Sequence, residues 1–386
     1  MNFEFATATR IIFEPGSIKK IGSFASGMGQ KALITSGFRD GSESNCSLVE
    51  ILNASGVEAQ CFTISGEPTV ELVQRGTELA RTEQCDLIIG FGGGSAMDTG
   101  KAIAAMSTNP GEVLDYLEVI GRGKSLILPS LPMIAIPTTA GTGTEVTRNA
   151  VLGSKGLRVK VSLRSPWMLP RLALVDPELT YQLPPAITAS TGLDALTQLI
   201  EPYVCNSPNP LVDALCREGI LRIANSLRIA YRDGDDHQAR ENMSLASLFG
   251  GLALANAKLG AVHGFAGVLG GMYPAPHGVV CARLLPLVVE ANIGALRERD
   301  MQNPALEKYG EIARMLTGDP EAAPEEAIGW LHDLCNELKI PGLTSYGFQA
   351  NEIPLIVEKS AQASSMKGNP LQLTQAEMES LLVKAV

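Results

Sequence analysis

A few side chains in the C-terminal half are of metal-ligand type but sit in apolar surroundings. Asp194 and Gln198 lie four apart in TGLDALTQLIEPYV, a spacing that puts both on one face of a helix. His263 and His277 lie in LGAVHGFAGVLGGMYPAPHG, the first on a Gly/Ala-rich helix and the second just past its proline-rich end. The chain has only four histidines, and an imidazole in apolar company needs a polar partner. Either histidine alone also reads as a core or helix-cap residue. Together with the helix-borne Asp194 they read as ligands for a divalent cation of borderline softness, zinc or iron. The other two, His237 in GDDHQAR and His332 in GWLHDL, read as surface residues.

The N-terminal half carries a different chemistry. In FGGGSAMDTGKAIA, residues 91–104, three glycines (Gly92, Gly93, Gly94) end an apolar run. Glycines there let backbone approach a bulky anion with positive φ. Ser95 is placed to cap the following helix, whose free N–H groups and dipole suit a pyrophosphate. The same letters also read as a glycine turn with a Ser95/Asp98 capping box and nothing bound. A second loop, IPTTAGTGTEVTRNA, lays down Thr138, Thr139, Thr142, Thr144 and Thr147 with Gly141 and Gly143. Its hydroxyls and amides suit ribose and phosphate hydrogen bonding, or else satisfy the loop's own backbone.

These loops need elements to hold them. The runs at 31–37, 57–64, 86–94 and 133–139 read as strands, each ending in or followed at once by Gly, Ser or Thr. SLVEILNASG and TVELVQRGTELARTEQ between them have helical spacing. Alternating strands and helices indicate a parallel sheet covered by helices, with ligands at the carboxyl ends of the strands. After LALVDPELTYQLPP, Pro184 and Pro185 break the chain, and the remainder is Ala- and Leu-rich with helical periodicity. We therefore expect an α/β dinucleotide-binding domain over 1–180 and an all-α metal-binding domain over 181–386.

Composition narrows the function classes. A net charge of -10 with no Lys/Arg run argues against nucleic acid or an anionic membrane as the main partner and leaves small molecules. Seven scattered cysteines, Cys281 among them, with no CxxC pair read as reduced thiols of a cytoplasmic protein. The N-terminal segment lacks the pattern of a cleaved signal. No window approaches the roughly 20 uninterrupted apolar residues of a membrane span.

Five stretches, TRIIFEPGSIKKIG, GFGGGSAMDTGKAIA, IPTTAGTGTEVT, VDPELTYQLPPAITASTGLDALTQLIE and LANAKLGAVHGFAGVLGGMYPAPHG, occur in that order over about residues 9–282. Together they resemble the successive signatures of the iron-containing (group III, metal-dependent) alcohol dehydrogenases. The resemblance implies a dehydroquinate synthase-like architecture and NAD(P)-dependent interconversion of a small alcohol with its aldehyde or ketone. It places the cofactor in a cleft between domains, and it implies at least a dimer. Gly37, Gly92, Gly93, Gly94, Ser95 and Asp98 fall at the cofactor positions, the last five at the pyrophosphate. Thr138, Thr139, Thr142, Thr147 and Lys160 fall on the ribose and nicotinamide side. The metal ligands fall on Asp194, Gln198, His263 and His277, and the catalytic role on Asp194, His263 and His277 with their cation.

Three positions depart from the family pattern. Gln198 replaces the usual histidine, a neutral and weaker ligand. Gly267 stands where a second imidazole commonly lies beside the nicotinamide, which widens the pocket and sends the proton through water or a ribose hydroxyl. Gly37 stands where NAD-preferring members carry an acid, with Arg39 close by, so a 2′-phosphate meets no repulsion and NADPH is expected to be accepted.

The expected chemistry is hydride transfer at nicotinamide C4 with the metal stabilising the substrate oxygen. A maleylacetate-reductase-like or polyol dehydrogenase shares these features. A dehydroquinate-synthase-like lyase shares the nucleotide loop, but residues 181–282 contain few of the basic residues a sugar phosphate would need. A nucleotide-binding protein that has lost its metal through Gln198 is a third reading.

Overall fold

The computed structural model describes residues 2–118, 120–154 and 159–386. By internal packing the chain divides into two compact units, one comprising Ala6–Thr139 and Gly143–Thr180, the other residues 2–5, Ala140–Thr142 and Tyr181–Val386.

The described residues of the first unit form eight strands: β1 (Arg10–Phe13), β2 (Lys31–Ser36), β3 (Glu58–Thr63), β4 (Leu87–Gly92), β5 (Met133–Pro137), β6 (Asn149–Ser154), β7 (Val159–Arg164) and β8 (Leu172–Val175). Its helices are α1 (Ile21–Ala25), α2 (Glu43–Ala54), α3 (Val70–Thr82), α4 (Gly94–Thr108) and α5 (Val113–Tyr116). Six strands form a sheet in the order β1-β8-β5-β4-β2-β3, parallel throughout, while β6 and β7 pair antiparallel beside it. The chain runs outward from β2 to β3 and returns to the other side of β2 as β4. The β2/β4 seam is therefore the topological switch point, where parallel sheets open a crevice at the strand ends.

Both faces of that sheet are covered, so its central strands are apolar throughout. On β4, Leu87, Ile89 and Phe91 join Ile34, Ile134 and Ile136 in one core. Ile88 points the other way and joins Leu33, Met133 and the small residues of α4. Each fully buried Ile or Leu contributes roughly 1.5–3 kcal/mol, which fixes the register and with it the height at which the strand-end loops leave the sheet. The sequence reading finds β2, β3, β4 and β5 but not β1 or β8. These two pair with each other and span only four residues each, too short for a period-two pattern to declare itself.

The second unit is helical: α6 (Pro185–Val204), α7 (Pro210–Arg232), α8 (His237–Asn256), α9 (Ala261–Met272), α10 (His277–Arg299), α11 (Pro304–Thr317), α12 (Glu326–Glu337), α13 (Ile353–Ala361) and α14 (Gln375–Ala385). Helix α6 is buried on almost every face from Thr188 onward, which identifies a core helix. α10 has the length and hydropathy of a membrane span, but 78% of its apolar window is buried among the other helices. α8 and α9 meet at a bend of 95°. The PAP segment separates α9 from α10, with Pro276 as the α10 N-cap and His277 as its first residue. Proline suits that place because the first N–H groups of a helix have no intrahelical acceptor.

Candidate active site

Helix α6 presents one polar stripe within its apolar surface: Asp194, Gln198 and Glu201, at successive turns and buried to 2%, 3% and 4% exposure. Across from it, Glu201 accepts the Val262 backbone N–H at 2.6 Å and lies 2.6 Å from Nδ1 of His263. An Nδ1–H donated to Glu201 leaves Nε2 as the ring's lone-pair nitrogen, the usual arrangement of a metal-ligating histidine and its supporting carboxylate. That Nε2 lies 3.6 Å from Asp194 Oδ1. His277 Nε2 lies 3.8 Å from the same oxygen, and Cys281 Sγ lies 3.5 Å from His277 Nε2 and 4.0 Å from His263 Nε2. One donor atom from each of Asp194, His263, His277 and Cys281 lies within 4.8 Å of the others.

The cluster fits a cation. Asp194 Oδ1 and Gln198 Oε1 are buried without a hydrogen-bond partner, a costly state for polar oxygens unless something positive meets them. The Gln198 amide donates to the Gly141 carbonyl at 3.3 Å, which leaves Oε1 as its uncommitted end. Burial opposes a charged His263 ring, yet Cys281, Glu201 and Asp194 raise its pKa well above the usual imidazole range. Burial also works to raise Asp194, but the imidazoles of His277 and His263 hold it below the usual carboxylate value. The field therefore favours positive charge. Burial, then Asp194, pushes the Cys281 thiol up to about 12, so its proton leaves only if a cation takes its place.

The second constellation lies at the switch point. Gly37 follows β2 and donates its N–H to the Phe91 carbonyl at 3.0 Å. Gly92 has φ +151, and a Cβ on it would meet Ala96 Cβ at 2.8 Å and Gly37 N at 3.0 Å, so only glycine lets β2 and β4 approach here. Gly93 is the N-cap of α4 and Gly94 its first residue. Ser95 thus lies inside the first turn and does not cap the helix, nor is there a Ser95/Asp98 capping box. With no side chain on the N-cap and none hydrogen-bonded there, the start of α4 is left without a side-chain cap, the kind of helix end that can receive an anion. Thr138 continues the Gly92 edge through its N–H at 3.0 Å, and a Gly93 Cβ would lie 3.4 Å from the Thr139 side chain.

Asp98 faces inward rather than toward the first turn. It accepts the Val151 N–H at 3.0 Å and lies 3.8 Å from Nζ of Lys101, which is completely buried. Lys101 donates to Thr147 Oγ1 at 2.6 Å and to the Asn149 carbonyl at 2.9 Å. Burial lowers Lys101 to about 8 and raises Asp98 to about 6 and Glu145 to about 7. Lys160, on β7, pairs with Glu67 at 3.2 Å. Thr142 falls in the 140–142 segment, which packs with the helical unit. Gly267 faces open space, with nothing within 4 Å of where a side chain would begin. His237 is exposed and stacks on Tyr181 at 4.2 Å, while His332 is half-buried on α12.

The sequence reading missed Glu201, Cys281, Lys101 and Glu145. A signal existed for three of them: Glu201 is two turns from Asp194, Cys281 one turn from His277 and Lys101 one turn from Asp98.

The family model for "Iron-containing alcohol dehydrogenase" matches residues 8–177, and that for "Fe-containing alcohol dehydrogenase family, C-terminal" matches residues 188–386. The chain belongs to the iron-containing alcohol dehydrogenase family. Alcohol dehydrogenase 4 of Saccharomyces cerevisiae is 39% identical over 320 residues, covering 82% of this chain and 80% of its own length. A crystal structure of 1,3-propanediol oxidoreductase superposes with a TM-score of 0.92 at 33% identity, covering 100% of both chains. Sulfoacetaldehyde reductase from Bifidobacterium kashiwanohense, solved with NAD+, gives a TM-score of 0.88 at 30% identity, covering 100% of this chain and 99% of its own. The activity of this chain is that of its family, metal-dependent alcohol dehydrogenation.

Proposed function

We propose that the chain reduces small aldehydes or ketones and oxidises the corresponding alcohols with NAD(P), and that Asp194, His263 and His277, with Gln198 Oε1 as a neutral further donor, hold the metal. The observation that carries this reading is the convergence of donor atoms of Asp194, His263 and His277, together with two buried oxygens, Asp194 Oδ1 and Gln198 Oε1, that have no hydrogen-bond partner. A divalent cation there supplies Lewis acidity toward the substrate oxygen, and the nicotinamide supplies or accepts the hydride.

The chain's own residues do the positioning. Glu201 holds the His263 ring with Nε2 forward. The Gly92–Gly94 turn and the uncapped start of α4 offer N–H groups to a pyrophosphate. Thr138 and Thr139 border that turn with hydroxyls suited to ribose. The space at Gly267 contains no imidazole, so the proton passes through water or a ribose hydroxyl. Gly37 puts no carboxylate at the end of β2, and Arg39 nearby is exposed. This supports use of NADPH as well as NADH, since a guanidinium attracts a 2′-phosphate.

Elemental analysis of the purified protein, followed by NADH and NADPH oxidation with a panel of small aldehydes before and after chelation, tests the reading. Stoichiometric zinc or iron and turnover that chelation abolishes are expected. Full activity in metal-free protein would overturn the metal assignment, and a preference for NADH by orders of magnitude in kcat/KM would overturn the NADPH reading.

A further inference from the structure

We infer that the Cys281 thiolate is itself a ligand of the cation, a stronger one than the Gln198 amide, and that it biases the site toward zinc. This rests on the metal reading above, and the geometry extends it. Zinc–nitrogen and zinc–oxygen bonds of about 2.0–2.2 Å and a zinc–sulfur bond of about 2.3 Å define a tetrahedron with edges of roughly 3.3–3.6 Å. The separations 3.6 and 3.8 Å from Asp194 Oδ1 to the two imidazoles, and 3.5 and 4.0 Å from Cys281 Sγ to the same two nitrogens, lie a few tenths of an ångström from those edges.

The placement follows from helix geometry. Cys281 is four residues beyond His277 on α10, so a cation touching His277 sits beside Sγ as well. Its setting differs from that of another buried thiol, Cys335, which donates to the Ala282 carbonyl at 3.2 Å. Cys281 is fully buried and meets the two imidazoles. The unpartnered Asp194 Oδ1, on a side chain 2% exposed, points into the same space. On cation binding the S–H bond breaks, a sulfur–metal bond forms and one proton leaves to solvent, with no change in oxidation state. Thiolate is a soft donor, which among the divalent cations of such sites favours zinc over magnesium or manganese.

The test uses the full-length protein. Zinc-edge X-ray absorption of the zinc-loaded wild type is expected to show one sulfur neighbour at about 2.3 Å. A shell of nitrogen and oxygen alone, with zinc bound, would overturn the Cys281 assignment and leave the metal reading standing. Failure to bind any zinc would overturn both. Cobalt-loaded wild type is expected to show a near-ultraviolet thiolate-to-cobalt charge-transfer band. That band is lost in Cys281→Ser, whose visible cobalt bands persist, and kept in Gln198→Ala. Cys281→Ser is further expected to bind zinc at least about tenfold more weakly than wild type, whereas equal affinity and an unchanged cobalt spectrum would refute the ligand role.

Discussion

Glu201 touches the proposed metal site only through a histidine, yet it decides which nitrogen of that histidine faces forward. Replacing it by Gln keeps the size and an acceptor for the Val262 N–H but puts an amide N–H where the imidazole N–H now donates. The ring then has to carry its proton on Nε2, where it cannot bind a cation. Zinc titration against a competing chelator should show Glu201→Gln binding about 10–100-fold more weakly than wild type, and undiminished affinity would show that Glu201 is only structural. Glu145 offers a second residue-scale test. Its Oε2 is buried without a partner, and burial raises its pKa from 4.5 to about 7. Between those values the folded chain binds the proton more tightly than the unfolded one, so this residue's contribution to stability falls as pH rises from about 4.5 to 7. Urea unfolding of Glu145→Gln at pH 5 and pH 8 should therefore give a variant that gains on wild type by about 1–3 kcal/mol at the higher pH. An equal difference at both would contradict the assignment. Asp194, His263 and His277 were conspicuous in the sequence because their types are rare in apolar helices. Glu201 and Cys281 were not, since a Glu on a helix usually marks a wetted face, and a Cys one turn from His277 stands out only once His277 is itself taken as a ligand.

At the level of elements, the turn between β4 and α4 depends on backbone rather than side chains. Gly92→Ala would force a Cβ into the Gly37 backbone and Ala96 at 3.0 and 2.8 Å, at φ +151. The strain should cost about 1–3 kcal/mol, and the shift of the α4 N-terminus should weaken NAD(P) binding. Denaturant unfolding and cofactor fluorescence titration check both, and a variant of normal stability and affinity would show that the β2/β4 seam has slack. Strands β2, β3, β4 and β5 were readable from their apolar runs and the Gly, Ser or Thr at or just after their ends. The role of α4 was less so. It is buried on nearly every face, so its hydrophobic pattern has no polar side to reveal that Lys101 points inward to Thr147 and Asn149. The Ser95 cap failed for a related reason: the helix begins two residues earlier than a Ser95 cap would place it, on glycines.

For the whole molecule, the two units offer separate handles. The cation would tie α6, α9 and α10 together, whereas NAD(P) would act on the α/β unit, and a ligand held only by the folded state stabilises it by mass action, about 4 kcal/mol at a thousandfold excess over Kd. Adding zinc to chelator-treated protein should therefore slow amide hydrogen exchange in residues 185–204, 261–272 and 277–299 while leaving β2, β3, β4 and β5 nearly unchanged. Protection spread evenly over both units, or confined to the sheet, would contradict the assignment of the site to the helices.

Helix α10 carries a hidden hazard. It is a rod of 23 residues, greasy enough to pass for a bilayer crossing and kept from water by its neighbours. Its first residue is His277, and Cys281 lies one turn further on. Stripping a cation held there would unfasten the end of this apolar helix, so that starvation for metal would be felt as clumping of the polypeptide as well as loss of turnover.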